Sequence, residues 1–93
     1  MKLKMFTVFD SKLEAYLQPF YMQSKGAAIR AWIDTINDSN SQFNKHPGDF
    51  TLFEIGEWDQ LTCAITQYAT KQNLGTALEM ASKEPTSKME NYI

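Results

Sequence analysis

Cysteine and histidine are almost absent from this chain: Cys63 and His46 stand alone among 93 residues. A single cysteine excludes an internal disulfide and a cysteine zinc cage, and it suits a reducing compartment. A single histidine leaves little for metal or acid–base chemistry. His46 and Asp49 lie three apart across a Pro-Gly turn, two ligands where zinc ordinarily takes four. Long apolar runs are missing too. Lys2 and Lys4 open a segment that Asp10 already breaks, so neither a membrane span nor a signal peptide is read. No Gly-rich phosphate loop, Gly-x-Ser-x-Gly or His-Glu-x-x-His occurs. The expectation is a soluble, unexported, non-enzymatic protein without cofactor or metal.

A strong charge of one sign is also lacking. The net charge is −2, divided as +2 over residues 1–47 and −4 over residues 48–93. Coating duplex DNA by phosphate neutralisation needs a clear basic excess, so that class is disfavoured, while a local basic face stays open. The acidic group Glu54, Glu57 and Asp59 reads as a solvated strand end that resists edge pairing.

What the chain does have is aromatic side chains, 13% of it, set in clear periodicities. Residues 1–10 alternate, with Leu3, Met5, Thr7 and Phe9 on one face and Lys2, Lys4, Phe6 and Val8 on the other. After the turn signal Asp10-Ser11-Lys12, a second strand is read over residues 16–23, with Pro19 marking an edge or a bulge. Ser24 then offers an N-cap, and Ala28, Ile29, Trp32, Ile33 and Ile36 make one apolar helical stripe. The polar run at residues 37–41 ends that helix, and residues 43–46 allow one further turn. Residues 49–57 read as a central third strand with a bulge at Gly56, and residues 61–66 as a fourth, holding Cys63 as a small core residue. A short helix is expected within residues 73–82, followed by a frayed polar tail.

The fold class that follows is α+β: an antiparallel sheet in ββαββ order, with one amphipathic helix on one face, a short C-terminal helix and a frayed tail. Residues 1–68 are read as one compact domain, and residues 69–93 as a C-terminal extension, partly helical and then flexible.

The candidate binding surface is the first hairpin. Lys2 and Lys4 alternate with Phe6 and Val8, and Tyr16, Phe20 and Tyr21 lie on the partner strand. Cations that follow a backbone and rings that stack bases are what single-stranded nucleic acid needs. Lys25, Arg30 and Lys45 extend that field around the helix. The competing reading makes the same rings core, or the buried patch of a homodimer paired through the sheet or an edge strand.

Three ordered blocks carry a family resemblance. They are Met-Lys-Leu-Lys-Met-Phe-Thr-Val-Phe-Asp-Ser-Lys-Leu-Glu-Ala-Tyr-Leu-Gln-Pro-Phe, Ser-Lys-Gly-Ala-Ala-Ile-Arg-Ala-Trp, and Asn-Asp-Ser-Asn-Ser-Gln-Phe-Asn-Lys-His-Pro-Gly-Asp-Phe-Thr-Leu-Phe-Glu-Ile-Gly. Over residues 1–59 the chain resembles the small nonstructural protein of gokushovirus-type microviruses, bacterial viruses with circular single-stranded DNA. The resemblance implies an accessory factor for viral DNA replication or packaging in the host bacterial cytoplasm. On the matching positions it points to Lys25 and Arg30 in the helix and to Asn44, Lys45 and His46 in the loop. The resulting expectation is weak, salt-sensitive binding of single-stranded DNA, detectable at about 50 mM salt and fading by roughly 200 mM. The alternative is a protein-interaction adaptor that docks on the replication initiator or procapsid without touching DNA.

Overall fold

The computed structural model describes residues 1–82. Its centre is an antiparallel sheet built on two long strands, β1 (Lys2–Asp10) and β4 (Phe50–Asp59), which pair along their whole length. Two short strands, β2 (Ala15–Tyr16) and β3 (Phe20–Met22), pair with the free side of β1, and β5 (Ile65–Thr76) pairs with β4. The expected second strand at residues 16–23 is thus split in two around Pro19, which has no N–H to give. Leu17 still ties the gap to β1: its N–H donates to the Val8 carbonyl at 2.8 Å, and its carbonyl accepts from the Thr7 hydroxyl at 2.7 Å.

Helix α1 (Lys25–Asn37) starts where Ser24 accepts from the Ala27 N–H at 3.1 Å. Its stripe Ala28, Trp32 and Ile36 is buried against Phe6, Val8, Phe50 and Leu52, with Ile29 and Ile33 packed at the margin. The turn expected at residues 43–46 is a short helix, α2 (Gln42–Lys45), N-capped by Ser41. A 3-10 turn (Pro47–Asp49) then leads into β4. Phe43 sits edge-on to both Trp32 and Phe50, with centroids 5.0 and 4.7 Å away, and so closes the core at this end. Trp32 is 5% exposed, and its Nε1 finds no acceptor among the described residues.

The bulge expected near Gly56 is present: Met5 pairs with Gly56 and Phe6 with Glu54, so Ile55 is the extra residue. A Cβ on Gly56 would lie 2.3 Å from the Thr66 carbonyl oxygen, so β5 can approach β4 this closely only beside a glycine.

The β4–β5 link corrects two expectations. Asp59 accepts from the Leu61 N–H at 2.8 Å, and its backbone takes the Cys63 N–H at 2.8 Å, which makes residues 60–64 the turn. Cys63 is therefore exposed, with φ 65°, and is no core strand residue. The fourth strand begins at Ile65 and runs to Thr76, well past the expected end at residue 66. The C-terminal helix, α3 (Ala77–Ser82), starts later than residue 73 because Asn73, Gly75 and Thr76 pair with β4. Thr76 and Glu79 form a reciprocal capping box, with bonds of 3.0 and 2.8 Å. Ala77 and Met80 of α3 complete the core. The expected frayed tail beyond Pro85 lies outside the described residues.

Candidate nucleic-acid interface

Strand alternation decides which rings meet water. Helix α1 covers the face of Phe6, Val8, Phe50 and Leu52, all buried. The opposite face of β1 presents Leu3, Met5, Thr7 and Phe9, and their cross-strand partners add Trp58, Tyr21, Phe53 and Tyr16. This is the open face. Tyr16 lies 4.8 Å from Phe9 and 6.1 Å from Phe53, and Tyr21 lies 5.6 Å from Trp58, all between ring centroids. Tyr16 and Tyr21 are 49% and 43% exposed. Lys71 of β5 holds its ammonium 5.7 Å from the Tyr16 centroid and 5.5 Å from that of Phe53. Such a cation contributes about 0.5–1 kcal/mol at an exposed site, less than the roughly 1–3 kcal/mol of a base stacked on the same ring.

A groove of about 360 Å³ crosses this face. Residues 16–19 form one wall and residues 67–71 the other, and Thr7 and Ile55 line the space between them. The second wall exists because β5 takes an irregular course here: Gly56 pairs with Gln67 but Glu54 with Gln72. The chain between those two pairs arches away from regular pairing.

The lysines singled out from the sequence gather elsewhere, around a buried carboxylate. Glu54 is 2% exposed and accepts from the Tyr68 hydroxyl at 2.6 Å. Lys4 Nζ lies 3.5 Å from Glu54 and 3.4 Å from Glu57, Lys25 Nζ 3.9 Å from Glu54, and Lys2 Nζ 3.7 Å from Glu57. Burial, the hydrogen bond to Glu54 and that carboxylate's charge raise the Tyr68 phenol above its ordinary value, against a smaller lowering by Lys4. For Lys4 itself, partial burial lowers the pKa, but Tyr68, Glu54 and Glu57 together outweigh it and leave it raised. The acidic group at the end of β4 is thus no idle solvated edge, because two of its carboxylates form ion pairs with three lysines.

The proposed hairpin platform is therefore divided. Phe6 is fully buried and stacks on Phe20 at 5.7 Å inside the helix-covered core, because both share the parity of Val8. Lys2, Lys4 and Lys25 are drawn to Glu54 and Glu57, and of the hairpin's rings Tyr16 and Tyr21 reach the open face. Asn44 is a capping residue: its side-chain amide donates to the Ile36 carbonyl at the end of α1, at 2.8 Å. Arg30, Lys45 and His46 are exposed on α1, α2 and the residue that follows α2. Sequence reasoning passed over Phe9, Phe53, Trp58 and Lys71. The odd-numbered parity of residues 3–9 was the signal for the first of these. For Lys71 the signal was the β-favouring Tyr68 and Thr70 just upstream of it.

Fold and face together define a small antiparallel α+β protein with one helix-covered and one open, aromatic sheet face. A family model described as Phage ORF5 protein matches residues 3–80, and the chain belongs to that family. It is a bacteriophage protein. No curated protein and no solved structure matches it. Among the described residues no helix is long and apolar enough to cross a membrane.

Proposed function

We propose that this phage protein is a non-catalytic accessory factor that binds single-stranded DNA through its open sheet face. It assists viral DNA replication or packaging in the host cytoplasm, in a virus of the gokushovirus type. The observation that carries this reading is the run of rings Phe9, Tyr16 and Phe53 beside Lys71, on a face whose groove is lined by no carboxylate among the described residues. Stacking supplies most of the affinity and is tolerant of sequence, since every base has a flat face.

Salt dependence follows from the ion pairs. With Lys71 as the cation at the groove, about one phosphate is neutralised, and affinity falls only about two- to threefold between 50 and 200 mM salt. That is shallower than a platform of three free lysines would give. The test is fluorescence anisotropy with a labelled single strand of about 20 nucleotides. Tyr16→Ala is expected to weaken binding by about 1–3 kcal/mol, and Lys71→Ala to flatten the salt slope by roughly 0.7. Unchanged affinity in Tyr16→Ala would count decisively against the open face.

A second reading has its own observation. Strand β5 lies at the edge of the sheet and carries Ile65, which is 63% exposed. Pairing of two β5 edges would make a homodimer with one continuous sheet, and the same edge suits docking on the replication initiator or procapsid. Sedimentation of the free protein checks it. A dimer that Ile65→Lys dissociates supports edge pairing, and a monomer at all concentrations removes it.

A further inference from the structure

Resting on the strand-binding reading, we infer that the groove between residues 16–19 and 67–71 is a pocket for one nucleotide. The base lies inside it, with the phosphate at the Lys71 rim. Size is the first support: about 360 Å³ falls at the small end of ligand pockets, the right scale for a single nucleotide. Charge is the second. Among the described residues Lys71 is the one ionised side chain that lines the groove and no carboxylate lines it, so the site favours an anionic group.

The lining chemistry is the third. Tyr16, Leu17, Pro19, Ile55 and Ala69 give the groove a largely apolar lining. Gln67 adds an exposed side-chain amide, both donor and acceptor. An apolar slot with a two-way hydrogen-bonding group at its side and a cation at its rim matches a nucleobase carrying a phosphate. Preorganisation is the fourth. The Thr7 hydroxyl holds the Leu17 carbonyl at 2.7 Å, and the Tyr68 hydroxyl is anchored on Glu54 at 2.6 Å. Both walls are tied down by groups whose bonds a ligand need not disturb, so binding does not have to order them. Along a DNA strand held elsewhere by stacking alone, this is the position at which base identity is felt.

The test uses the full chain and ¹⁵N–¹H spectra. Each of the four deoxynucleoside 5′-monophosphates is titrated, with deoxyribose 5-phosphate and inorganic phosphate as controls. The amide signals of Leu17, Gln67, Ala69 and Lys71 are expected to shift saturably with the nucleotides and not with the controls. Ala69 is exposed on the groove wall, so Ala69→Trp fills the slot without touching the core. It should weaken nucleotide binding at least tenfold and leave the remaining spectrum in place, and Ala69→Leu repeats the test with less bulk. Gln67→Ala should even out the differences among the four bases.

Absence of saturable groove shifts overturns the pocket. So do equal shifts with inorganic phosphate, which would mark a bare anion site. If a single strand binds the wild type and Ala69→Trp alike, the pocket is lost and the ring face stands. If no single strand binds at all, the ring-face reading is lost and the mononucleotide titration alone decides the pocket.

Discussion

Phe6→Ala is expected to cost about 3–5 kcal/mol of folding stability, the range for removing a buried aromatic ring. Phe6 is fully buried, stacked on Phe20, and part of the cluster that α1 closes with Ala28, Trp32 and Ile36. Deleting the ring opens a cavity between the sheet and a helix that is itself held by this contact. Folded domains of this length hold about 5–15 kcal/mol in total, so the variant loses roughly a fifth or more of the reserve. In a urea titration the midpoint should fall by about 2–3 M with the slope unchanged. Tyr16→Ala, half exposed on the other face, should move the midpoint little and act on binding instead. The pair of variants separates core rings from surface rings. A Phe6→Ala midpoint close to wild type, accompanied by lost DNA binding, would mean that the ring does reach the ligand and that the burial argument is wrong.

How much of this was legible in the sequence depends on which physical rule was being read. The two-residue alternation of β1 and β4, the Ser24 cap and the Ala28–Trp32–Ile36 stripe are local signals, and each appears where its period places it. Alternation defines two faces but does not say which one the helix covers. Leu3, Met5 and Phe9 are as apolar as Phe6 and Val8, so the allocation rests on long-range packing against Phe50 and Leu52. The lysines were misassigned for the same reason, because Glu54 and Glu57 are neighbours of Lys4 only through a register 50 or more residues apart. The stretch after Ile65 carries almost no apolar alternation. Beyond the β-favouring Tyr68 and Thr70, it becomes a strand because β4 offers it a backbone edge. Cys63 was placed by its strand-like flanks, whereas the carboxylate of Asp59 organises a turn there.

Lys4→Ala should destabilise the protein by about 2–4 kcal/mol, far more than an ordinary surface lysine, whose replacement stays within about 0.5 kcal/mol. The reason is what the lysine leaves behind. Glu54 is 2% exposed, and without Lys4 it keeps the Tyr68 hydroxyl and a Lys25 ammonium at 3.9 Å. Removing one partner strands a buried charge, which costs about 3–5 kcal/mol when nothing compensates. Here Lys25 and Tyr68 compensate in part. Glu54→Gln is expected to be milder, about 1 kcal/mol, because the amide oxygen still accepts from Tyr68 and Lys4, a third exposed, keeps Glu57 at 3.4 Å. The double variant Lys4→Ala/Glu54→Gln should then be more stable than Lys4→Ala alone, the non-additivity expected of two groups in one cluster. Denaturant midpoints of the three variants check this, and costs that simply add would show that the pair is uncoupled. DNA binding supplies the second check. Measured at a temperature where Lys4→Ala is still folded by circular dichroism, its affinity for a single strand should equal that of the wild type. Lys4 serves the carboxylate beneath it, and the phosphate contact proposed for this protein falls to Lys71 on the opposite face.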